Sequence, residues 1–275
     1  MIKKAKQLIK EALIPLGLSE LASKIYNYTI FLPDIKLHYN NLMFRLKGAS
    51  DKLPLPPTHL IFFVGGFNIN IHYNSGVEGA ICIKNALMKN GLDIKKFNNI
   101  LDFGCGLGRI MRQWKTLEGP KLYGTDYNPR LIKWCKKSFP FAEFKTNILS
   151  PNLTYESNKF DFIYVISVFT HLDEKLQYGW IDELTRILNP GGYLLITLKT
   201  TTSQVQLSPE QKKEFNEGKL VILHDEYPGT NFCGVHHPEK FVREKLCKNL
   251  KIIDFIPNGS TDTDQDIYLI QKPMK

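Results

Sequence analysis

Between Asn99 and Leu198 the chain alternates short apolar runs with longer amphipathic ones. The runs at 99–104, 121–126, 142–146, 160–168 and 192–198 have the length and continuous apolar character of buried strands. Stretches near 108–117, 128–138 and 174–188 carry the spacing of helices with one buried face. Downstream, helices are predicted near 208–216 and 238–247, and strands near 251–256 and 267–271. Strands separated by helices of this length pair in parallel with helices on both faces. The fold class is therefore α/β: a Rossmann-like, doubly wound, mostly parallel seven-stranded sheet with an N-terminal helical cap.

The cap is read from residues 1–52. Ile2, Ala5, Leu8, Ile9, Ala12 and Leu13 share one helical face, with the lysines mostly elsewhere. Packing of that face on the main domain is the favoured reading, and weak contact of residues 1–13 with an acidic membrane surface is the other. Three prolines in "DKLPLPPTHL" (51–60) mark a linker. The division is a cap and linker over 1–60 and a catalytic domain over 61–275. A further helix is predicted from Gly76 to Gly91.

Composition narrows the class. Apolar residues make up 43% and aromatic residues 12%, which suits a continuous core. Five cysteines without a C-x-x-C pair suit reduced thiols and a cytoplasmic setting. No stretch approaches the length of an uncharged membrane span. Net charge is +9, but residues 1–52 hold nine Lys/Arg against four Asp/Glu, so the remainder is only mildly basic. That argues against a nucleic-acid partner.

The chemistry is concentrated in "ILDFGCGLGR" (100–109). In a doubly wound sheet, ligands bind beyond the carboxyl ends of the strands. Gly104, Gly106 and Gly108 let the backbone turn tightly and approach a ligand there. Asp126 closes the next strand, where a carboxylate can accept both hydroxyls of a ribose. The spacing is G-x-G-x-G, not the dinucleotide G-x-G-x-x-G. Asp102 lies two residues before the first glycine, where it would repel a pyrophosphate and attract a cationic ligand. S-adenosylmethionine fits this pattern and NAD does not.

These residues resemble motif I of the class I S-adenosylmethionine-dependent methyltransferases. "LYGTDYNPRLIKWC" is similar to their second motif, and the segment from "KFDFIYV" to "GGYLLIT" resembles their fourth to fifth strands. "LPLPPTHLIFFVGG", "SVFTHL" and "DQDIYLIQKP" resemble a bacterial subgroup, so the likeness runs over roughly 53–273. It implies that Gly104, Cys105, Gly106 and Gly108 line the methionine and ribose of the cofactor, with Asp126 on the ribose and Tyr127 beside the adenine. Asn147 stands where the family usually has an aspartate for the adenine amine, with Ile148 next to it. An amide oxygen can still accept that hydrogen bond. Ser167 follows the fourth strand, and Tyr73 and Gly76 lie where the family folds a segment over the cofactor. S-adenosylhomocysteine is the implied product. The subgroup's setting implies a hydroxyl or amine of a small molecule or sugar as acceptor.

Methyl transfer needs a base only if the acceptor loses a proton during attack. Candidates are His237 first, then His171 and His236. His224, Asp225, Glu226 and the histidine pair match no recognised metal spacing, so no metal is expected. "SVFT" replaces the Asn/Asp-Pro-Pro-aromatic tetrad of amino-methylating DNA enzymes, and no Pro-Cys nucleophile occurs. The rival readings are an oxidoreductase and a non-catalytic protein that binds the cofactor.

Overall fold

The computed structural model describes residues 34–201, 207–224, 228–230 and 233–274. The predicted amphipathic helix at 1–13 and the acids Asp225 and Glu226 lie outside those residues. The chain divides into two compact units between Asn74 and Ser75.

In the first unit, helix α1 (Ile35–Lys47) begins at Asp34, whose carboxylate accepts the Leu37 N–H, and stops at Gly48 with φ of 76°. Its buried Asn41 donates to the Phe67 carbonyl and accepts the Ile69 N–H, at 2.9 and 3.0 Å. The proline-rich stretch leads into one helical turn, Thr58–Ile61, and a 3₁₀ turn, Phe62–Val64. Helix α2 (Ile69–Lys89) crosses the boundary and starts seven residues before the predicted Gly76. Asn68 explains the early start, because its side chain accepts the Ile71 N–H and so caps the helix.

The second unit is built on one seven-stranded sheet. Strands β1 (Asn99–Phe103), β2 (Lys121–Asp126), β3 (Glu143–Thr146), β4 (Phe160–Val165) and β5 (Leu188–Leu198) are parallel. A two-stranded ribbon follows, β6 (Val221–Leu223) with β7 (Gly234–His236). Strand β9 (Gln265–Gln271) runs antiparallel between β5 and β8 (Lys251–Ser260), giving the order β3-β2-β1-β4-β5-β9-β8. Helices α3 (Pro129–Ser138), α4 (Glu174–Ile187) and α5 (Pro209–Asn216) agree with the amphipathic pattern to within a residue or two. Helix α6 (Glu239–Phe241) continues as a π turn over Val242–Leu246. Fully buried Phe160, Ile163, Leu184, Ile187 and Ile196 pack in one continuous core. The Phe103 and Trp180 rings lie 4.6 Å apart in it.

One predicted helix is absent. Residues 108–117 form turns and a short 3₁₀ segment, Met111–Trp114. Here the backbone is held by long-range partners: Arg109 donates to the Ser75 carbonyl and pairs with Asp262, at 2.8 and 2.6 Å. A Cβ at Gly76 would overlap the Arg109 carbonyl, so α2 lies directly on this segment. The ribbon β6–β7 is the converse case, because three-residue strands carry too few positions to show a period.

Candidate functional site

The strand order reverses between β1 and β4, and the carboxyl ends of those strands open the crevice in which a doubly wound sheet binds its ligand. The glycine loop lies there. Gly104, Gly106 and Gly108 all have positive φ, at 73°, 55° and 70°. At Gly104 the demand is twofold: a Cβ would strain the backbone and overlap the Val168 side chain. The Gly104 and Cys105 N–H groups both donate to the Thr125 carbonyl, tying the loop to β2. The Cys105 thiol turns inward toward Cys135 and the Gly106 carbonyl, so Cys105 offers the crevice only its backbone.

Two buried carboxyls flank this loop. Asp102 accepts a hydrogen bond from Tyr164, whose hydroxyl itself accepts from the Trp114 indole at 3.0 Å. Burial pushes the Asp102 carboxyl up to about 7, against the opposing effects of Tyr164 and of the Arg109 charge. Asp126 is held by the Gly106 N–H at 2.9 Å and the Asn128 N–H at 2.8 Å, one on each oxygen. Burial raises it to about 6 despite those two donors. Each oxygen retains a second lone pair for a hydroxyl. A desolvated carboxyl beside an open glycine loop, with a clamped second one at the next strand, is a donor set for a cationic group and a ribose. S-adenosylmethionine carries both, and the residues fit it.

The remaining expected cofactor residues are distributed unevenly. Tyr127 and Ile148 are exposed, and Asn147 donates its N–H to the Asp126 carbonyl. The Asn147 side-chain oxygen accepts the Thr125 hydroxyl at 2.9 Å, and its amide donates to the Ile148 carbonyl. Ser167 sits at φ of 59°, with its N–H on the Thr197 hydroxyl. Gly76 packs on Arg109 as described. Tyr73 belongs to the first unit, where it shares a 2.7 Å hydrogen bond with Ser50 and packs on Phe44.

The three histidines lie in segments stitched together beyond β4 and β5. His171 Nδ1 is 2.7 Å from the Cys233 carbonyl, and the Gly229 N–H donates to the His171 carbonyl. A carbonyl only accepts, so Nδ1 carries the proton and Nε2 is left with its lone pair. Burial, with Lys199 adding to it, lowers the His171 pKa, so the ring is neutral near pH 7. His237 is fully buried. Its Nε2 meets Gln177 Oε1 at 3.1 Å, and Gln177 spends its amide on the Phe169 and Leu172 carbonyls. His236 is also sealed, and Nδ1 of both rings has no hydrogen-bond partner. Burial holds His236 at about 4 and His237 at about 3. Among the described residues no group of three or more His, Cys, Asp or Glu side chains could hold a metal ion.

Sequence reasoning missed Gln265. Its amide donates to the Ser167 hydroxyl at 2.8 Å, and its carbonyl accepts from Thr197 at 2.7 Å. The next residue, Asp266, accepts from the Thr200 and Thr201 N–H groups and from Asn258 N–H. The signal was present as "DQD", but pairing of β9 with β5 is what gives it a role.

A seven-stranded sheet with an antiparallel β9, a glycine loop after β1 and an acid closing β2 defines a nucleoside-binding methyltransferase architecture. Residues 101–196 match the family described as a methyltransferase domain. Over those residues the chain carries a methyltransferase domain, and in fold and motif order it resembles the S-adenosylmethionine-dependent methyltransferases. It is similar to the mitochondrial ubiquinone biosynthesis O-methyltransferase of Dictyostelium discoideum, 25% identical over 54% of this chain and 46% of that one. It is also similar to the tRNA N(3)-methylcytidine methyltransferase of Drosophila melanogaster, 27% identical over 35% of this chain and 33% of that one. The chain thus spans less than half the length of these relatives. Among solved structures, a S-adenosylmethionine-dependent methyltransferase of Methanosarcina mazei superposes with a TM-score of 0.52 at 23% identity. That match covers 68% of this chain and 97% of the other, and it shows the fold. No helix among the described residues is long and apolar enough to cross a membrane.

Proposed function

We propose that this protein transfers a methyl group from S-adenosylmethionine to a hydroxyl or amine of a small-molecule or sugar acceptor. The observation that carries the reading is the pair of buried carboxyls, Asp102 and Asp126, on either side of a loop whose Gly104 has φ of 73° and would set a Cβ against the Val168 side chain. When bound, the cofactor supplies an activated sulfonium methyl for in-line displacement. The glycine backbone receives the methionine portion, Asp102 holds its ammonium and Asp126 holds the ribose. Tyr127, Asn147 and Ile148 flank the adenine from the ends of β2 and β3. Positioning of the two reactants supplies most of the rate.

His171 takes the acceptor's proton in this reading, in place of His237. The tautomer supports it, since the Cys233 carbonyl fixes the proton on Nδ1 and frees Nε2. His237, sealed and bonded to Gln177, positions the start of α4. Calorimetry tests the cofactor assignment. S-adenosylhomocysteine should bind in the micromolar range and NAD should not, and Asp126→Ala should weaken binding by about 1.5–3 kcal/mol. Preferential binding of NAD would sink the reading.

A further inference from the structure

Lys199 follows directly on β5, and its own N-terminal neighbours are buried strand. Its side chain is half-buried, and burial is what lowers its pKa, with no carboxylate raising it back. Among the described residues it has no acidic partner. Asp266 pairs in register with Leu198, the residue before Lys199, but its oxygens are taken by Thr200, Thr201 and Asn258. The Lys199 ammonium instead lies near enough to His171, His236 and His237 to disfavour a proton on each. The His237 N–H donates to the Lys199 carbonyl at 2.8 Å, so the cluster is fixed by backbone bonds. It joins the carboxyl end of β5 to the loop after β4 and to β7. The buried Nδ1 atoms of His236 and His237 stand unpartnered within it.

A half-buried cation with no ion-pair partner among the described residues, at the junction of β5 with the histidine segments, is a place for a counter-charge. We infer that Lys199 binds an anionic group, a carboxylate or phosphate, on the methyl acceptor, which leaves the acceptor's nucleophile beside His171. This rests on the methyl-transfer reading and adds the acceptor's charge to it. The imidazoles contribute by holding no negative charge of their own. An anion in the site would give Lys199 the partner that the described residues do not supply.

The test uses the full chain saturated with S-adenosylhomocysteine and two probes, inorganic phosphate and benzoate. Titration followed by histidine ring proton shifts should show saturable binding in the millimolar range, with His171 and His236 shifting together. Lys199→Met should weaken it roughly tenfold or more, because the ammonium's attraction is lost in a partly desolvated setting. Lys199→Arg should restore most of it. S-adenosylhomocysteine affinity should be unchanged in both variants, and the melting temperature of Lys199→Met should not fall. Binding of phosphate alone assigns a phosphorylated acceptor, and of benzoate alone a carboxylate. Equal binding by the parent and Lys199→Met, or no saturable shift with either anion, would overturn the inference. Loss of S-adenosylhomocysteine binding would instead strike the methyl-transfer reading, and the anion titration can then be read on the free protein.

Discussion

The proposed placement of the cofactor's ammonium against Asp102 makes affinity depend on pH, with a sign set by the burial of that carboxyl. In the ligand-free fold this group titrates near 7, raised from 3.8 by burial. The unfolded chain loses its proton first, so the free protein loses stability as pH rises from about 4 to about 7. Asp126, raised to about 6, adds the same sign over the lower part of that window. An ammonium placed against Asp102 reverses the preference and favours the ionised form. At pH 6 about one Asp102 in eleven is ionised, against about ten in eleven at pH 8, so affinity should fall by about tenfold, or ~1.4 kcal/mol, between pH 8 and pH 6. Asp126, half protonated near pH 6, adds about a factor of two. Titration calorimetry of S-adenosylhomocysteine in two buffers of different ionisation enthalpy would read both the affinity and the proton released. Asp102→Asn should bind about 1.5–3 kcal/mol more weakly at pH 8. It should also lose most of the pH dependence and be no less stable than the parent without ligand. An affinity that stays flat from pH 6 to pH 8 in the parent, or that rises on acidification, would refute the placement of a cation at Asp102.

Three further outcomes are expected. Gly104→Ala should lose measurable cofactor binding and cost about 1–2 kcal/mol of stability, since φ is 73° and Val168 fills the space, with calorimetry and thermal melts as the readouts. Gln265→Ala should cost about 1–3 kcal/mol in chemical denaturation, by leaving the buried Thr197 hydroxyl and Ser167 short of partners. With a hydroxyl acceptor, His171→Ala should slow single-turnover transfer by roughly 10²–10⁴-fold at unchanged cofactor affinity, while His237→Ala should act mainly on stability. Equal rate losses in the two variants would break that division.

The sheet and the glycine loop were legible in the sequence because they rest on local signals. Strands β1 to β5 are short apolar runs, α3 and α4 have amphipathic spacing, and "DFGCGLG" records backbone that only glycine adopts without strain. Asp126 could be singled out because it closes β2, and Asp102 because it lies two residues before the first glycine. What the sequence could not supply depends on partners far along the chain. Residues 108–117 lack their predicted helix where Arg109 reaches Ser75 and Asp262. His237 looked like the better base until Gln177, sixty positions away, closed on its Nε2. The carbonyl of Cys233, sixty-two positions away, chose the tautomer of His171. Gln265 acquired a role only when β9 paired beside β5 and brought it to Ser167 and Thr197. Periodicity and turn chemistry act over a few residues, so the sequence by itself determined the elements and the loop. Burial and tautomer are properties of groups brought together from distant segments, and only the tertiary structure decided them.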